Sequence, residues 1–172
     1  MKLLTSRSCA VIVALGLMPS QGMAQRNNAL LRKPLQPLTP SKRGVVFKAS
    51  DAREFGKQCS RQSPTGWWSP VAPSKAEIKA VEAALPLWIK SHQLNDWKAS
   101  FATYYYQYGA LVRGKKRLIY VNALAADDGM NDKDQLWRRI PTIVCDGGRS
   151  FWGIEYDVTA KRFQNASFNG RI

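Results

Sequence analysis

The sequence predicts an α+β domain, one amphipathic helix packed on a curved antiparallel sheet of about five strands. Three observations carry that prediction. Ser74-Lys75-Ala76-Glu77 matches the S-x-x-E capping box, in which each side chain satisfies an orphan N–H of the first helical turn. From there Ile78, Val81, Leu85, Trp88 and Ile89 recur at helical spacing and form one apolar stripe. Beyond residue 100 the pattern changes to β-rich runs separated by short turns, at 101–112, 116–124, 140–145, 150–158 and 162–168. Burying one helix stripe against one sheet face is the simplest way to build a core from that order.

The chain opens with a leader pattern. Lys2 and Arg7 precede the short apolar run CAVIVALGLM at residues 9–18, which is followed by Pro19 and the small-residue end Gly22-Met23-Ala24. This is the order of a secretory signal over residues 1–24, with cleavage expected between Ala24 and Gln25. The apolar run is too short to span a bilayer as a helix, and no other membrane-spanning candidate follows. The expected destination is the periplasm or the extracellular space.

Charge and cysteines are read in that light. The 26 Lys and Arg outnumber the 12 Asp and Glu, a net charge of +14, and the leader removes only Lys2 and Arg7 from the excess. Such an excess points to an anionic partner or simply keeps the protein soluble. Export argues against nucleic acid. Loss of the leader also removes Cys9 and leaves Cys59 and Cys145, most simply a disulfide in an oxidising compartment. The rival reading makes Cys145 a nucleophile with His92, the only histidine, although nothing in the sequence brings them together.

Taken in order, residues 25–58 read as a basic flexible arm. Arg26, Arg32, Lys33, Lys42, Arg43, Lys48, Arg53 and Lys57 face only Asp51 and Glu54, and Pro34, Pro37 and Pro40 break any helix. Within the arm, Val45-Val46-Phe47 is a candidate edge strand and residues 50–56 a candidate helical turn. A single domain is expected over 59–172. It starts with the proline-rich strap CSRQSPTGWWSPVAP, where Trp67 and Trp68 should point to opposite sides, one to the core and one to solvent. They form a candidate aromatic contact.

The helix should be kinked or broken at Pro86 and end near His92, whose position suits the helix dipole. In the hairpin of residues 101–124, with Gly114-Lys115 as the turn, Tyr104, Tyr106, Tyr108, Ala110 and Val112 share a face with Arg117, Ile119, Val121 and Ala123. That face suits the helix. The opposite face mixes Tyr105, Gln107, Tyr120 and Asn122 with Leu111, Leu118 and Leu124.

Residues 125–139 carry Asp127, Asp128, Asp132 and Asp134, with Asn131 a cap for a short helix through Trp137. Their spacing lacks the ordered ligands and closing glutamate of an EF-hand loop, so no metal site is assigned. A second hairpin is expected from residues 140–145 and 150–158 about Asp146-Gly147-Gly148-Arg149, with Cys145 ending its first strand.

The block VCDGGRSFWGIEYD with the later FNG resembles the C-terminal end of small uncharacterised exported proteins of Gram-negative bacteria. The resemblance covers residues 59–170, implies export and lends no activity. By element order alone, the domain also looks like cystatin and NTF2-like architectures.

An enzyme needs a nucleophile, an acid–base pair or a held metal. This chain has one His, no G-x-S-x-G, no H-E-x-x-H and no phosphate-cradling loop, so no catalytic residue and no cofactor are assigned. The expected function is non-catalytic binding of an anionic envelope component or an acidic protein. The expected contact is Arg113, Lys115, Lys116 and Arg117 at the hairpin tip, where the same cations would also discourage edge-to-edge pairing. Two alternatives stand beside it. One is an immunity- or inhibitor-type protein binding through an aromatic patch; the other is a small hydrolase using Glu155 and His92.

Overall fold

The computed structural model describes residues 40–92, 101–126 and 135–170. Six strands form one sheet: β1 Gly44–Val46, β2 Ser69–Val71, β3 Tyr104–Arg113, β4 Lys116–Ala125, β5 Phe151–Asp157 and β6 Arg162–Phe168. The order is β1-β3-β4-β5-β6, and β2 shares the outer edge of β3 with β1. All pairs are antiparallel except β1 with β3. The sheet is therefore mixed rather than purely antiparallel. A parallel pair needs a long crossover, and the chain between β1 and β3 supplies one.

The helix, α3 (Lys75–Ser91), starts with the expected capping box. Glu77 N–H donates to Ser74 Oγ at 3.2 Å, and Ser74 N–H donates to Glu77 Oε2 at 2.7 Å. The helix runs without interruption past Pro86 and is capped at His92. Proline removes only one intrahelical bond there, and Val81, Leu85 and Ile89 bury their stripe on both sides of it. Packing against the sheet holds together what the local propensity would break.

The β3–β4 hairpin has the predicted turn and register, with Val112 opposite Arg117 and Tyr108 opposite Val121. Its helix face carries Tyr104, Tyr106, Tyr108, Ala110, Ile119, Val121 and Ala123, joined by Trp152, Ile154 and Tyr156 of β5. The tyrosine row is thus core, packed beneath α3.

The opposite face is covered too, and here the arm expectation fails for residues 40–57. Two short helices, α1 (Pro40–Arg43) and α2 (Ala49–Ala52), flank β1, and a 3-10 turn at Arg53–Lys57 follows. Phe47, Ala52 and Phe55 are buried on Leu111, Leu118 and Tyr120. Gly109 makes the room: a Cβ there would lie 2.7 Å from the Phe55 ring and 2.9 Å from the Ala52 methyl. Apolar burial outweighs the basic, proline-containing composition of this stretch. The leader, the rest of the arm and Asp127, Asp128, Asn131, Asp132 and Asp134 lie outside the described residues.

The expected hairpin of 140–145 with 150–158 is not formed. Residues 141–147 run irregularly and β5 pairs with β4, Ile154 lying opposite Val121. The reason lies in the polar side chains beneath. Gln107 Nε2 donates to the carbonyls of Trp137 (2.6 Å) and Ile140 (2.9 Å), and its Oε1 accepts from Thr142 N–H at 2.8 Å. Asn122 Nδ2 donates to Gln107 Oε1 and to Thr142 O. Asn169 Nδ2 donates to Val144 O and Asp146 O. Backbone groups that a strand would have paired are satisfied by amide side chains instead. Gly147 (φ +86°) and Gly148 (φ +54°) then turn the chain into a 3-10 turn at Gly148–Ser150, not a two-residue hairpin.

The Cys59–Cys145 disulfide is present, with Cα atoms 5.0 Å apart. It ties the strap to this irregular loop over the outer face, rather than to the end of a strand. Between strap and sheet lies Arg61, buried, donating through Nη1 to Asn169 Oδ1 at 3.3 Å and through Nη2 to Asn122 Oδ1. Burial pushes its guanidinium pKa down.

Candidate functional site

Two of the sequence candidates meet at one end of the sheet. Because β2 pairs with β3 so that Ser69 faces Val112, the preceding Trp67-Trp68 arrive beside the β3–β4 tip. Gly66 (φ +63°) makes the turn that brings them there, and a Cβ at Gly66 would sit 3.8 Å from Arg113 Nε. The pair divides as alternation requires. Trp68 packs on the Phe47–Phe55–Tyr120 cluster, its ring 3.0 Å from where a Cβ on Gly56 would be. Trp67 is 87% exposed. A groove of about 480 Å³ runs between them, lined by Arg53, Gly56, Gly66 and Pro70 as well as the two indoles.

The four tip cations do not act as one cluster. Arg113 grips Glu155 with both ends of its guanidinium, at 2.9 Å and 2.5 Å. Arg117 is bound to the Glu77 carboxylate and donates to Ala72 O at 2.8 Å. Of the four, only Lys115 and Lys116 are exposed and form no ion pair with described residues. Arg53, on the groove wall, is a third such cation, and the sequence reading placed it on a flexible arm.

Glu155 is not an exposed strand residue. It is fully buried on the outer face and accepts from Arg113, from Thr65 N–H (2.8 Å), from Thr65 Oγ1 (3.3 Å) and from Asn165 Nδ2 (2.8 Å). Asn165 reaches it from a bulge in β6, where its own φ is +53°. Burial alone would raise the carboxyl pKa, but Arg113 and the Thr65 and Asn165 donors outweigh it and hold the group below its usual range. A carboxylate held ionised by this many donors is no general acid. His92 stacks on Trp88 at the end of α3, on the helix side of the sheet, so the two residues of the hydrolase reading are separated by the sheet itself. Cys145 is bonded to Cys59 and is not a free thiol. Among the described residues no group of three His, Cys, Asp or Glu side chains is placed to hold a metal.

Two carboxylates make stability acid-sensitive. Arg117, which outweighs the opposing effect of burial, together with the Ser74 N–H holds Glu77 down at about 2, and Glu155 is also lowered. Groups with depressed folded pKa values stabilise fully above the ordinary carboxylate pKa and lose that contribution as pH falls through the folded value. Stability should therefore hold from neutral pH down to about 5 and fall steeply between 4.5 and about 2. Denaturant midpoints measured at pH 7, 5, 4 and 2 check this, and a flat profile would refute it.

Sequence reasoning missed Arg61, Arg53 and Asn165 as structural participants. No local motif marks them: Arg61 and Asn165 bond to residues distant in the chain, and Arg53 reaches the groove only because its segment packs on the sheet. Comparison with protein-family models, curated proteins and solved structures finds no match, so the functional reading rests on the geometry of this chain.

Proposed function

We propose that this is an exported, non-catalytic binding protein with an anionic partner, held at the hairpin end of the sheet. The observation that carries the reading is Trp67, a large indole left in solvent on the groove that Arg53 also lines, at the same end of the sheet as the exposed tip residues Lys115 and Lys116. An exposed indole with cations at the same end of the sheet suits a partner that stacks and carries negative charge. The leader pattern, the resemblance of the C-terminal block to exported proteins and the net charge of +14 support the compartment and the sign of the partner. On this reading the partner is an envelope component or an acidic protein. Among the described residues no helix is long and apolar enough to cross a membrane. The cystatin- or NTF2-like element order, with a curved sheet, is part of the same reading.

A second reading, an immunity- or inhibitor-type contact, is favoured by the same exposed Trp67, because indoles are typical anchors of protein interfaces. Immobilised heparin and envelope extract, used at low and high salt, separate the two. Changing Lys115, Lys116 and Arg53 to Ser should weaken polyanion binding roughly tenfold and flatten its salt dependence by close to one unit of slope per cation removed. Trp67→Ala should cost roughly thirtyfold if the ring is an anchor. Loss with Trp67→Ala but not with the cation variant supports the protein-interface reading. If neither change matters, the site is not here.

A further inference from the structure

Loop 135–143 exposes aliphatic side chains between its own buried anchors. Trp137 is buried and stacked on Tyr105, with centroids 4.4 Å apart. Thr142 points inward, its N–H and Oγ1 bonded to Gln107 and its carbonyl accepting from Gln58 and Asn122. Around these anchors, Leu136, Ile140 and Ile143 are 55%, 57% and 37% exposed. Ile140 N–H bonds to Leu136 O at 3.0 Å, closing a turn that places those two residues side by side. The loop is held by Gln107, Asn122 and the Cys59–Cys145 link, so it presents these groups rigidly.

Cations border the aliphatics. Arg139 and Lys42 are exposed without an ion pair among the described residues. Arg138 lies 4.2 Å over the Trp137 ring and donates to Lys42 O, which joins the two basic segments. Two carboxylates stand across a cleft of about 460 Å³ from Arg139 and Ile140, but both are engaged. Glu54 is paired with Lys57 at 2.6 Å, and Asp51 accepts from Ser50 Oγ.

We infer that this loop docks the protein on an anionic lipid surface, Leu136, Ile140 and Ile143 entering the headgroup–acyl boundary while Arg139 and Lys42 meet lipid phosphates. Three aliphatics are too few for a stable protein interface, and Leu is under-represented among protein hot spots, whereas shallow insertion with basic flanks needs no larger area. The surface is distinct from the tryptophan groove. Gln107, beneath the loop, lies six residues along β3 from Arg113, or about 20 Å. The inference goes beyond the proposed anion-binding function and does not depend on it.

The test is cosedimentation of the purified exported protein with vesicles of phosphatidylethanolamine and phosphatidylglycerol, compared with phosphatidylcholine alone. All variants share one N-terminus, so any contribution of that segment cancels. The wild type should sediment with the anionic vesicles, and Leu136→Ser/Ile140→Ser/Ile143→Ser should lower the partition coefficient more than tenfold. Arg139→Ser should lower it roughly fivefold, an effect abolished by high salt. All three positions are solvent-exposed, and an unchanged thermal melt verifies that the variants fold. Lys79→Ser/Lys90→Ser, which removes two exposed cations of α3 away from both surfaces, should sediment like the wild type. The inference is overturned if the wild type stays in the supernatant, if the triple aliphatic variant sediments equally well, or if the α3 variant loses binding as strongly as the aliphatic one. It is also overturned if the wild type ignores lipid but forms a dimer that the triple variant cannot, which would make the loop a contact between copies.

Discussion

Glu155→Ala is expected to lower the stability of the folded protein by about 3–5 kcal/mol in denaturant unfolding. The carboxylate joins three parts of the chain: Arg113 at the end of β3, Thr65 of the strap and Asn165 of β6. Removing it leaves a largely buried guanidinium and a backbone N–H without an acceptor, and the penalty is their lost compensation rather than the worth of one contact. Glu155→Gln keeps an acceptor for Thr65 but cannot neutralise Arg113, so a smaller loss of about 1–3 kcal/mol is expected. Glu155→Leu with Arg113→Met removes both charges and should recover much of the difference. A Glu155→Ala protein within 1 kcal/mol of wild type would show that the strap is held by other means.

Breaking the Cys59–Cys145 link should have an effect of similar size. It closes a loop of sequence separation 86, for which restriction of the unfolded chain is worth about 4 kcal/mol. Cys59→Ser/Cys145→Ser should show that loss in denaturant unfolding. Early proteolytic cutting of the irregular loop at 139–147 should accompany it, because side-chain amides rather than a strand ladder would then be all that holds it. Unchanged midpoints for reduced and oxidised protein would contradict this.

What could be read from the sequence was local. The capping box at Ser74 and Glu77, the stripe beginning at Ile78 and the Gly114-Lys115 turn each specify structure within a few residues, and each is present. The division of Trp67 and Trp68 followed from alternation along an extended chain in the same way. What failed depended on distant partners. Ile143 and Val144 have strand composition, but Gln107, Asn122 and Asn169 claim the backbone around them from 20 or more residues away. Phe47 and Phe55 looked isolated among basic residues and prolines because the surface that buries them, around Leu111 and Tyr120, lies on strands formed much later in the chain. The candidate site shows the same division. Lys115 and Lys116 were legible as exposed tip residues and the Trp67-Trp68 pair as one ring in and one ring out, whereas which ring faces solvent and the diversion of Arg113 to Glu155 and of Arg117 to Glu77 were not.

The paired amides of Gln107 and Asn122 have a consequence for alignment. They face each other across β3 and β4, on the side away from α3, and every hydrogen bond they make needs that side. A slip of β3 by one residue along β4 would turn Gln107 toward the helix, among Leu85, Ile89 and the tyrosines, and would strand Asn122 without its partner. With Gly109, whose lack of a side chain makes room for Phe55 and Ala52 only in this alignment, the two buried amides fix which pairing the hairpin takes.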